Sequence, residues 1–436
     1  MAIAEPVRLT DHLPDWLSLS GTTRWRVEGF VNAFRPGDGQ DEAVIAGRTL
    51  VLAELHAGRV SFGVEIQDSR IYSGGVETPL LNVQVNPVDF LAAYARISLK
   101  GWLPEAWTGR LTIGRQTIDV GSRRFISRNG FRNTINAFTG LSLELDGPAR
   151  DRTHLFYFVP VDRQPASLQR LADLDAEFDR EVGNLRYWGV YHIRPVGPVN
   201  VTTAFYGLHE DDSSSQATAN QDLYTPSWRI SRPPRPGSWD LDWESALQFG
   251  TTRATANPLD TRDLPVFAHF HHVEVGYTFP TLLSPRLALE YDFASGDEDP
   301  ADDRIGRFDT LFGSRRFDYA HTGISGPFSR GNIEGGGVRL DVHQGRFDGN
   351  LRYKALELES ATDDWVGVGL VDPSGQSGRF LGHMVDGRVR YWLIPDSVRG
   401  EIGGTVLTQG RFRAQAPDAP VTGTFAYGYV MVTLRF

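Results

Sequence analysis

The sequence has no cysteine, and only two of its 44 basic residues, Lys100 and Lys354, are lysines. Without cysteine, neither a disulfide framework nor a thiolate metal site is possible. The chain also lacks a run of about 18 consecutive apolar residues, the length that a membrane-spanning helix needs. Nucleophile-elbow, zinc-protease and phosphate-loop motifs are missing as well. These absences argue against an enzyme, a nucleotide-binding protein and a helical membrane protein.

Nearly all of the positive charge is therefore arginine, in a chain of net charge −10. Genomic codon usage explains much of this bias, while guanidinium groups also bind carboxylates and phosphates with better geometry than ammonium groups do. The mean hydropathy is that of a soluble protein. That value does not exclude a transmembrane β-barrel, because only every second residue of a barrel strand faces lipid. The 46 glycines and the 11% aromatic residues suit tight turns and interface girdles.

The dominant sequence pattern has a period of two residues. In 238–249 and 284–294, apolar side chains alternate with charged ones over ten residues or more. This alternation predicts strands with one apolar and one polar face. Strands of a soluble sandwich are usually shorter, about 5–6 residues, whereas runs of this length suit a tilted strand that crosses a bilayer.

The connections between the predicted strands alternate between short and long. Short connections occur, for example, at 57–59 and 344–346, and long ones at 117–135 and 298–330. Transmembrane barrels alternate short periplasmic turns with long outer loops. The alternation holds throughout if a further strand occupies about 222–230, which gives about 18 strands with both termini in the periplasm. The sequence therefore predicts an all-β, antiparallel transmembrane barrel, with one domain over residues 1–436.

Both ends of the chain fit a bacterial outer-membrane protein. The last predicted strand ends in Phe436, as the assembly signal of such proteins does, although a soluble edge strand can end in the same way. Residues 2–4, Ala-Ile-Ala, look like the tail of a signal-peptide cleavage box behind an added methionine. We therefore expect the bacterial outer membrane as the location, with the signal peptide absent from this sequence.

Charged residues on the polar strand faces are the first candidates for a functional site. Most of them are expected to line a wet lumen and to pair across strands, but several arginines opposite a few acids also describe a selective constriction. Arg115 shares the parity of Leu111 and Ile113, so alternation places it towards lipid unless a bulge intervenes. The strand residues expected to line the pore are Arg96, Arg186, Glu290, Asp292, Arg339, Arg352, Lys354, Arg388 and Arg390.

The segment 110–140 is the richest in arginine. A strand runs there into a long loop that brings Arg123, Arg124, Arg128 and Arg132 close together. Folded into the barrel, this loop would narrow the pore and place the guanidinium groups on the solute path. As an exposed loop, it would contact lipopolysaccharide phosphates or solvent instead. The sequence leaves both interpretations open.

Three histidines, His269, His271 and His272, are grouped in the sequence. A His-x-His spacing puts two imidazoles on one face of a strand, but no further ligand is spaced to complete a site. Their apolar neighbours favour an interface belt. We therefore predict no metal and no cofactor, and the sequence leaves the role of this cluster undecided.

Two motifs resemble the bacterial alginate export family of outer-membrane proteins. They are the run from Gly114-Arg115-Gln116 through Gly121-Ser122-Arg123-Arg124 to Ala137-Phe138-Thr139-Gly140, and the run Glu290-Tyr291-Asp292-Phe293-Ala294-Ser295-Gly296-Asp297. The similarity extends over nearly the whole chain. The resemblance implies an 18-stranded monomeric barrel with an electropositive lumen. It also implies Arg115, Arg123 or Arg124, and Arg132 as pore arginines, with Asp119 and Asp292 as acidic partners.

The sequence thus predicts a passive, non-enzymatic channel for an anionic solute. An acidic polysaccharide such as alginate, or its oligomers, is the first candidate, in a monomer that contacts outer-membrane lipid and lipopolysaccharide and no nucleic acid. Two alternatives stay open: a general uptake porin for small molecules, and a closed barrel that serves in adhesion or assembly.

Overall fold

The computed structural model describes residues 8–36, 41–72, 80–212, 217–326 and 328–436. Alternating apolar and polar residues form long strands, joined by segments rich in glycine, proline and aspartate. The strands are β1 (Leu17–Val31), β2 (Glu42–Ala57), β3 (Val60–Tyr72), β4 (Asn86–Ser98), β5 (Thr108–Gln116), β6 (Phe138–Asp146), β7 (Arg152–Asp162), β8 (Arg180–Glu181), β9 (Leu185–Val196), β10 (Val199–Glu210), β11 (Asp222–Arg232), β12 (Ser238–Thr252), β13 (Leu264–Thr278), β14 (Arg286–Ala294), β15 (Ile333–Gln344), β16 (Phe347–Glu357), β17 (Phe380–Ile394), β18 (Val398–Leu407) and β19 (Phe425–Arg435).

The strands close into one antiparallel barrel. Each strand pairs with its neighbours in the chain, and β1 completes the ring by pairing with both β2 and β19. The two-residue β8 pairs only with the end of β7, and β7 continues directly to β9. The ring therefore contains 18 strands, as predicted. The strand expected at about 222–230 is β11, Asp222–Arg232.

The barrel has a turn end and a loop end. The connections at the turn end are residues 58–59, 99–107, 147–151, 197–198, 233–237, 279–285, 345–346 and 395–397, and both chain termini lie there. The connections at the loop end are residues 32–41, 73–85, 117–137, 163–184, 211–221, 253–263, 295–332, 358–379 and 408–424. The alternation of short and long connections is thus confirmed. The loop at 253–263 was not among the connections predicted from the sequence.

Regular helix is scarce in the described residues. A 3₁₀-helix covers Leu9–His12, and two five-residue α-helices, α1 (Leu168–Ala172) and α2 (Arg411–Gln415), lie in loops. No helix in these parts of the chain is long and apolar enough to cross a membrane.

Strand β14 illustrates the two faces of the wall. Leu287, Leu289 and Tyr291 point outwards and are 51%, 65% and 43% exposed. Glu290 and Asp292 point inwards and are 4% and 0% exposed. Apolar side chains in contact with water would be costly over so wide a surface, so this outer face requires a lipid environment.

Two long loops fold into the barrel and pack against each other. We call residues 117–137 loop A and residues 295–332 loop B. Ile126 of loop A forms a parallel bridge with Phe312 of loop B, and the Ser314 amide donates to the Arg123 carbonyl over 2.8 Å. Buried aromatic side chains from both loops contact the inner wall, including Phe125, whose ring centroid lies 5.3 Å from that of Tyr206 on β10. The interior is therefore filled largely by chain rather than by water.

Candidate functional site

Loop A is held by three buried arginines of strands β1 and β2. Arg24, Arg26 and Arg48 are 4%, 1% and 8% exposed. They donate to the carbonyl oxygens of residues 130–132 over 2.8–3.1 Å. Carbonyl groups of an irregular loop need partners once water is excluded. These arginines thus satisfy the loop and fix its position against the wall.

Asn133 adds a second anchor to loop A. Its side-chain amide donates to the carbonyls of Gly47, Arg70 and Gln84 over 2.9–3.2 Å, and its oxygen accepts from Arg24 over 3.1 Å. Only 1% of the residue is exposed. One side chain thereby ties loop A to strands β1, β2 and β3 and to the neighbouring loop at Gln84.

Asp318 is the centre of the contacts that hold loop B. Its carboxylate accepts from Arg124 of loop A over 2.9 Å and from Arg330 of loop B over 2.5 Å, and all three groups are at most 5% exposed. The Asp318 carbonyl accepts from Lys354 on β16 over 2.6 Å. Arg352 on the same strand donates to the carbonyl oxygens of Phe317 and Tyr319. Loop B is therefore joined to loop A and to the wall by buried charged groups.

His272, Asp292 and Asp318 bring metal-ligand types within 4.8 Å of one another. The Asp292 carboxylate, however, already contacts Lys354, and the Asp318 carboxylate contacts Arg124 and Arg330. The donor set is therefore occupied by the protein's own cations and does not fit an additional metal ion. His269 and His271, the other members of the histidine cluster found in the sequence, face outwards. The His269 ring stacks on Phe293, with the ring centroids 5.0 Å apart.

A pair of arginines, Arg132 from loop A and Arg315 from loop B, lies between two cavities. The cavities measure about 330 Å³ and about 420 Å³, and both are lined by Asn129, Arg132 and Arg315. Burial lowers the pKa of Arg132 well below its usual value, and the neighbouring guanidinium groups of Arg163 and Arg315 lower it further. Burial also lowers the pKa of Arg315 to about 10, with Arg35 and Arg330 as further causes. Like charges crowded in this way favour binding of an anion.

Arginine side chains that stack on an aromatic ring lie next to these cavities. Arg123 and Arg316 lie 3.9 Å and 4.9 Å from the centroid of Phe317. Arg316 also borders the larger cavity, and burial lowers its pKa to about 10, with Arg123 and Arg388 as further causes. A guanidinium group over a ring keeps its hydrogen-bonding edge available, so these side chains can still bind a carboxylate.

Loop A separates these cavities from the space towards the turn end. Arg128 lines a cavity of about 310 Å³ on the turn side, while the next residue, Asn129, lines the two cavities on the loop side. Arg96 pairs with Glu54 over 2.9 Å. It borders the turn-side cavity and a further cavity nearer the turn end. A solute that crosses the barrel along this wall must therefore pass residues 128–132.

The opposite wall carries paired charges. Arg352 contacts Glu290 over 2.8 Å, Arg339 contacts Asp341 over 2.9 Å, and Arg390 contacts Asp348 over 2.6 Å. The predicted inward direction of Arg96, Glu290, Asp292, Arg339, Arg352, Lys354, Arg388 and Arg390 agrees with the strand faces in the structure. Most of these groups are neutralised by a partner, whereas Arg132 and Arg315, which border the loop-side cavities, belong to the loops.

Two predicted pore residues lie on the outer face instead. Arg115 points away from the lumen and pairs with Glu181 of β8 over 2.8 Å, as its strand parity indicated. Arg186 shares the outward face of Trp188 and donates to the carbonyl oxygens of Gly183 and Leu185. The expectation that they line the pore is therefore corrected. Their polar ends are accommodated at the loop-end rim, where backbone carbonyls are available.

The remaining loop A candidates have different surroundings. Arg124 is buried among Glu244, Asp242 and Asp318, so it fixes the loop and does not face a solute. Asp119 accepts from the Ser127 hydroxyl over 2.8 Å and from the Arg128 amide over 3.0 Å. The charge of Asp119 still opposes the lowering of the Arg123 pKa by burial. The other implied partner, Asp292, pairs instead with His272 and Lys354.

Sequence reasoning missed Arg315, Arg316 and the wall arginines under loop A. A usable signal existed, because the pentapeptide Gly-Ser-Arg-Arg-Phe occurs at 121–125 and again at 313–317. The two copies lie side by side, joined by the bond from the Ser314 amide to the Arg123 carbonyl. The wall arginines Arg24, Arg26 and Arg48 gave no such signal, because their positions in the sequence resemble those of other inward-facing charges. What distinguishes them is that loop A packs against them.

His321 of loop B is docked between the wall and loop A. Its amide donates to Asp386 over 3.1 Å, and Nε2 lies 3.0 Å from an Arg388 nitrogen, which fixes Nε2 as an acceptor. Its ring meets Phe131 of loop A edge-on, at 5.4 Å between centroids. Burial is the main cause that lowers the pKa of His321, and the charges of Arg388 and Arg316 lower it further. The contact with Asp386 has the opposite effect and raises the pKa, but the net shift is downwards.

Acidification is expected to loosen loop B at His321. The pKa of His321 is lower in the docked loop than that of a free histidine, which is about 6.5. The stabilisation of the docked loop by neutral His321 is therefore complete above about pH 6.5 and is lost as the pH falls below that value. Channel current noise in planar bilayers should therefore rise between about pH 7 and pH 5. His321→Asn, which keeps a donor and an acceptor but does not titrate, should remove most of this dependence. Identical pH profiles for both proteins would exclude His321 as the sensitive group.

Solved structures that the fold resembles include outer-membrane proteins of Pseudomonas. The structure resembles OccK9 (OpdG) of Pseudomonas aeruginosa with a TM-score of 0.61 at 13% identity, covering 96% of this chain and 98% of that one. It resembles a BenF-like porin of Pseudomonas fluorescens Pf-5 with a TM-score of 0.59 at 10% identity, covering 97% and 99%. For OprD of P. aeruginosa the TM-score is 0.57 at 12% identity, covering 100% and 97%. At these identities the likeness establishes the fold. No curated protein matches the chain.

A closed 18-stranded barrel with an apolar outer face and charged infolded loops defines a porin-like channel protein of the bacterial outer membrane. The model of the alginate export family matches residues 15–426, and the chain belongs to that family. Barrels of this membrane place their short turns in the periplasm, so the turn end is periplasmic and the loop end faces the outside.

Proposed function

We propose that the chain is a passive, anion-selective channel for carboxylate-bearing sugars. The observation that supports this most directly is the Arg132–Arg315 pair, which borders both loop-side cavities and whose nearest charged groups are other arginines. A carboxylate that enters either cavity relieves this repulsion. Because several arginines share the attraction along the path, no single site holds the solute tightly, as flow requires.

The family description, alginate export, makes acidic polysaccharide or its oligomers the first solutes to consider. Guanidinium groups match the planar carboxylate of a uronate with two parallel hydrogen bonds. We further propose that the single barrel acts as a monomer, without cofactor or catalysis. Its outer rim, where Arg186 and Arg115 lie, contacts outer-membrane lipid and lipopolysaccharide.

Reversal potentials in a potassium chloride gradient test this proposal. The purified protein in planar bilayers should show a chloride preference, and uronate oligomers should reduce the current while neutral sugars of equal size should not. A conducting pore that prefers potassium, or that responds equally to both sugars, would contradict the proposal and indicate a general uptake porin. A barrel that inserts without conducting would favour the adhesion or assembly role.

A further inference from the structure

The cavities beside the Arg132–Arg315 pair are small. Their volumes of about 330 and 420 Å³ are at the lower end of the range of about 300–1,000 Å³ for sites that enclose one small ligand. Neither has the form of a continuous groove for an extended polymer, because residues 128–132 lie between them and the turn-side cavity. The size of the permeant solute therefore depends on whether loops A and B can move aside.

Loop A has little freedom to move. The carbonyl oxygens of Gly130 and Arg132 each accept from two different wall arginines, and Arg26 donates to the Phe131 carbonyl between them. If loop A left the lumen, buried guanidinium groups would lose their acceptors. Buried charged donors without partners are strongly unfavourable.

Loop B has equally few alternatives. Besides the Asp318 centre, its Ile324 amide donates to Glu28 on β1 over 3.2 Å, and Glu28 also pairs with Arg26, which holds loop A. The Tyr427 hydroxyl donates to the same carboxylate over 2.6 Å. Glu28 therefore couples the two loops, so displacing one weakens the attachment of the other.

From these fixed loops we infer that the channel carries acidic sugars of one or two units and excludes long acidic polymers. This inference rests on the proposed anion selectivity and narrows the proposed solutes from acidic polysaccharide and its oligomers to the shortest of these oligomers. A short uronate fits either cavity and passes from one arginine group to the next. A polymer would need both loops to be released along its whole length.

Swelling of proteoliposomes in isosmotic solutes tests the size limit. The probes are glucuronate, a uronate dimer and a uronate hexamer, with glucose and maltohexaose as neutral counterparts. We expect glucuronate and the dimer to enter at least about tenfold faster than the hexamer, because the constriction acts on size as well as charge. Entry of the hexamer at the rate of glucuronate would overturn the inference while leaving the anion preference intact. Exclusion of glucuronate itself would overturn it too.

Asn133→Ala provides a second arm of the test, since it removes four hydrogen bonds of loop A without changing charge. Entry of the hexamer should then rise by about tenfold, as expected for release of a constriction. Asn257→Ala, in the exposed loop at 253–263, is the matched control and should leave the size limit unchanged. A native channel that shows no chloride preference would refute the proposed function. An unchanged size limit in the Asn133→Ala variant would refute the role of loop A.

Discussion

Replacing Arg132 and Arg315 together by glutamate is expected to change the channel from anion-selective to cation-selective. The substitution alters the charge beside both cavities by four units. One unit charge about 4 Å from an ion is worth about 1 kcal/mol in water, and 1.4 kcal/mol corresponds to a factor of about ten. Even after screening by salt, the chloride-to-potassium permeability ratio should fall by more than about tenfold. The reversal potential in a salt gradient should therefore change sign.

The barrel itself should tolerate this change. The backbone carbonyl of Arg132 holds loop A to the wall at this point, while its side chain donates to Asn136 within the same loop. Arg186→Glu is a suitable control, because the same change of charge lies on the outer face at the rim. It should leave the reversal potential unaltered. If the double variant retained the chloride preference of the native channel, the solute path would have to lie elsewhere.

Replacing Arg330 by methionine is expected to release loop B and enlarge the pore. The methionine keeps much of the side-chain volume but removes donors to Asp318, to the Arg124 carbonyl and to the Ser314 carbonyl. Removing one partner of a buried ion pair costs about 3–5 kcal/mol, so the population of displaced loop should rise more than about a hundredfold. Single-channel recordings should show a larger, fluctuating conductance, and limited proteolysis should cut residues 295–332 faster.

Arg304→Met tests whether any lost pair in loop B has this effect. Arg304 pairs with Asp302 in the same loop, but its side chain is 62% exposed. Exposed ion pairs contribute little to stability, so conductance and proteolysis should match those of the native protein. Equal conductance of the Arg330→Met variant and the native channel would mean that the Asp318 centre does not hold the loop.

The fixed loops also explain why most strand charges are poor targets for changing selectivity. Arg352 and Lys354 face the lumen, but their side chains are 1% and 0% exposed and bind Glu290, Asp292 and loop B. Their role is to support the constriction. The arginines that can contact a solute are those of loops A and B. An irregular loop does not place an acidic partner opposite each arginine, as neighbouring strands do.

Alternation along the chain was enough to predict the barrel and the direction of most wall side chains. Where strand parity and family resemblance disagreed, at Arg115, parity was correct, because a regular strand without an intervening bulge cannot turn one side chain to the other face. Arg186 was misplaced, since it has the same strand parity as Trp188, which lies on the outer face.

The inner arrangement was beyond sequence reasoning. Nothing local distinguishes Arg124, which is buried among three acids, from Arg132, whose charged neighbours are arginines. The difference arises from Asp318 and Arg315, which lie almost 200 residues further along the chain. Contacts over such a separation depend on how two irregular loops pack.

What the sequence alone determined is thus the closed wall: its strand number, its lipid-facing side and the end from which long loops emerge. These properties follow from side-chain periodicity, which acts locally on each strand. Only the tertiary structure decided which arginines neutralise acids and which remain available to an anion. Burial and pairing depend on the whole interior, where two loops and eighteen strands compete for the same charges.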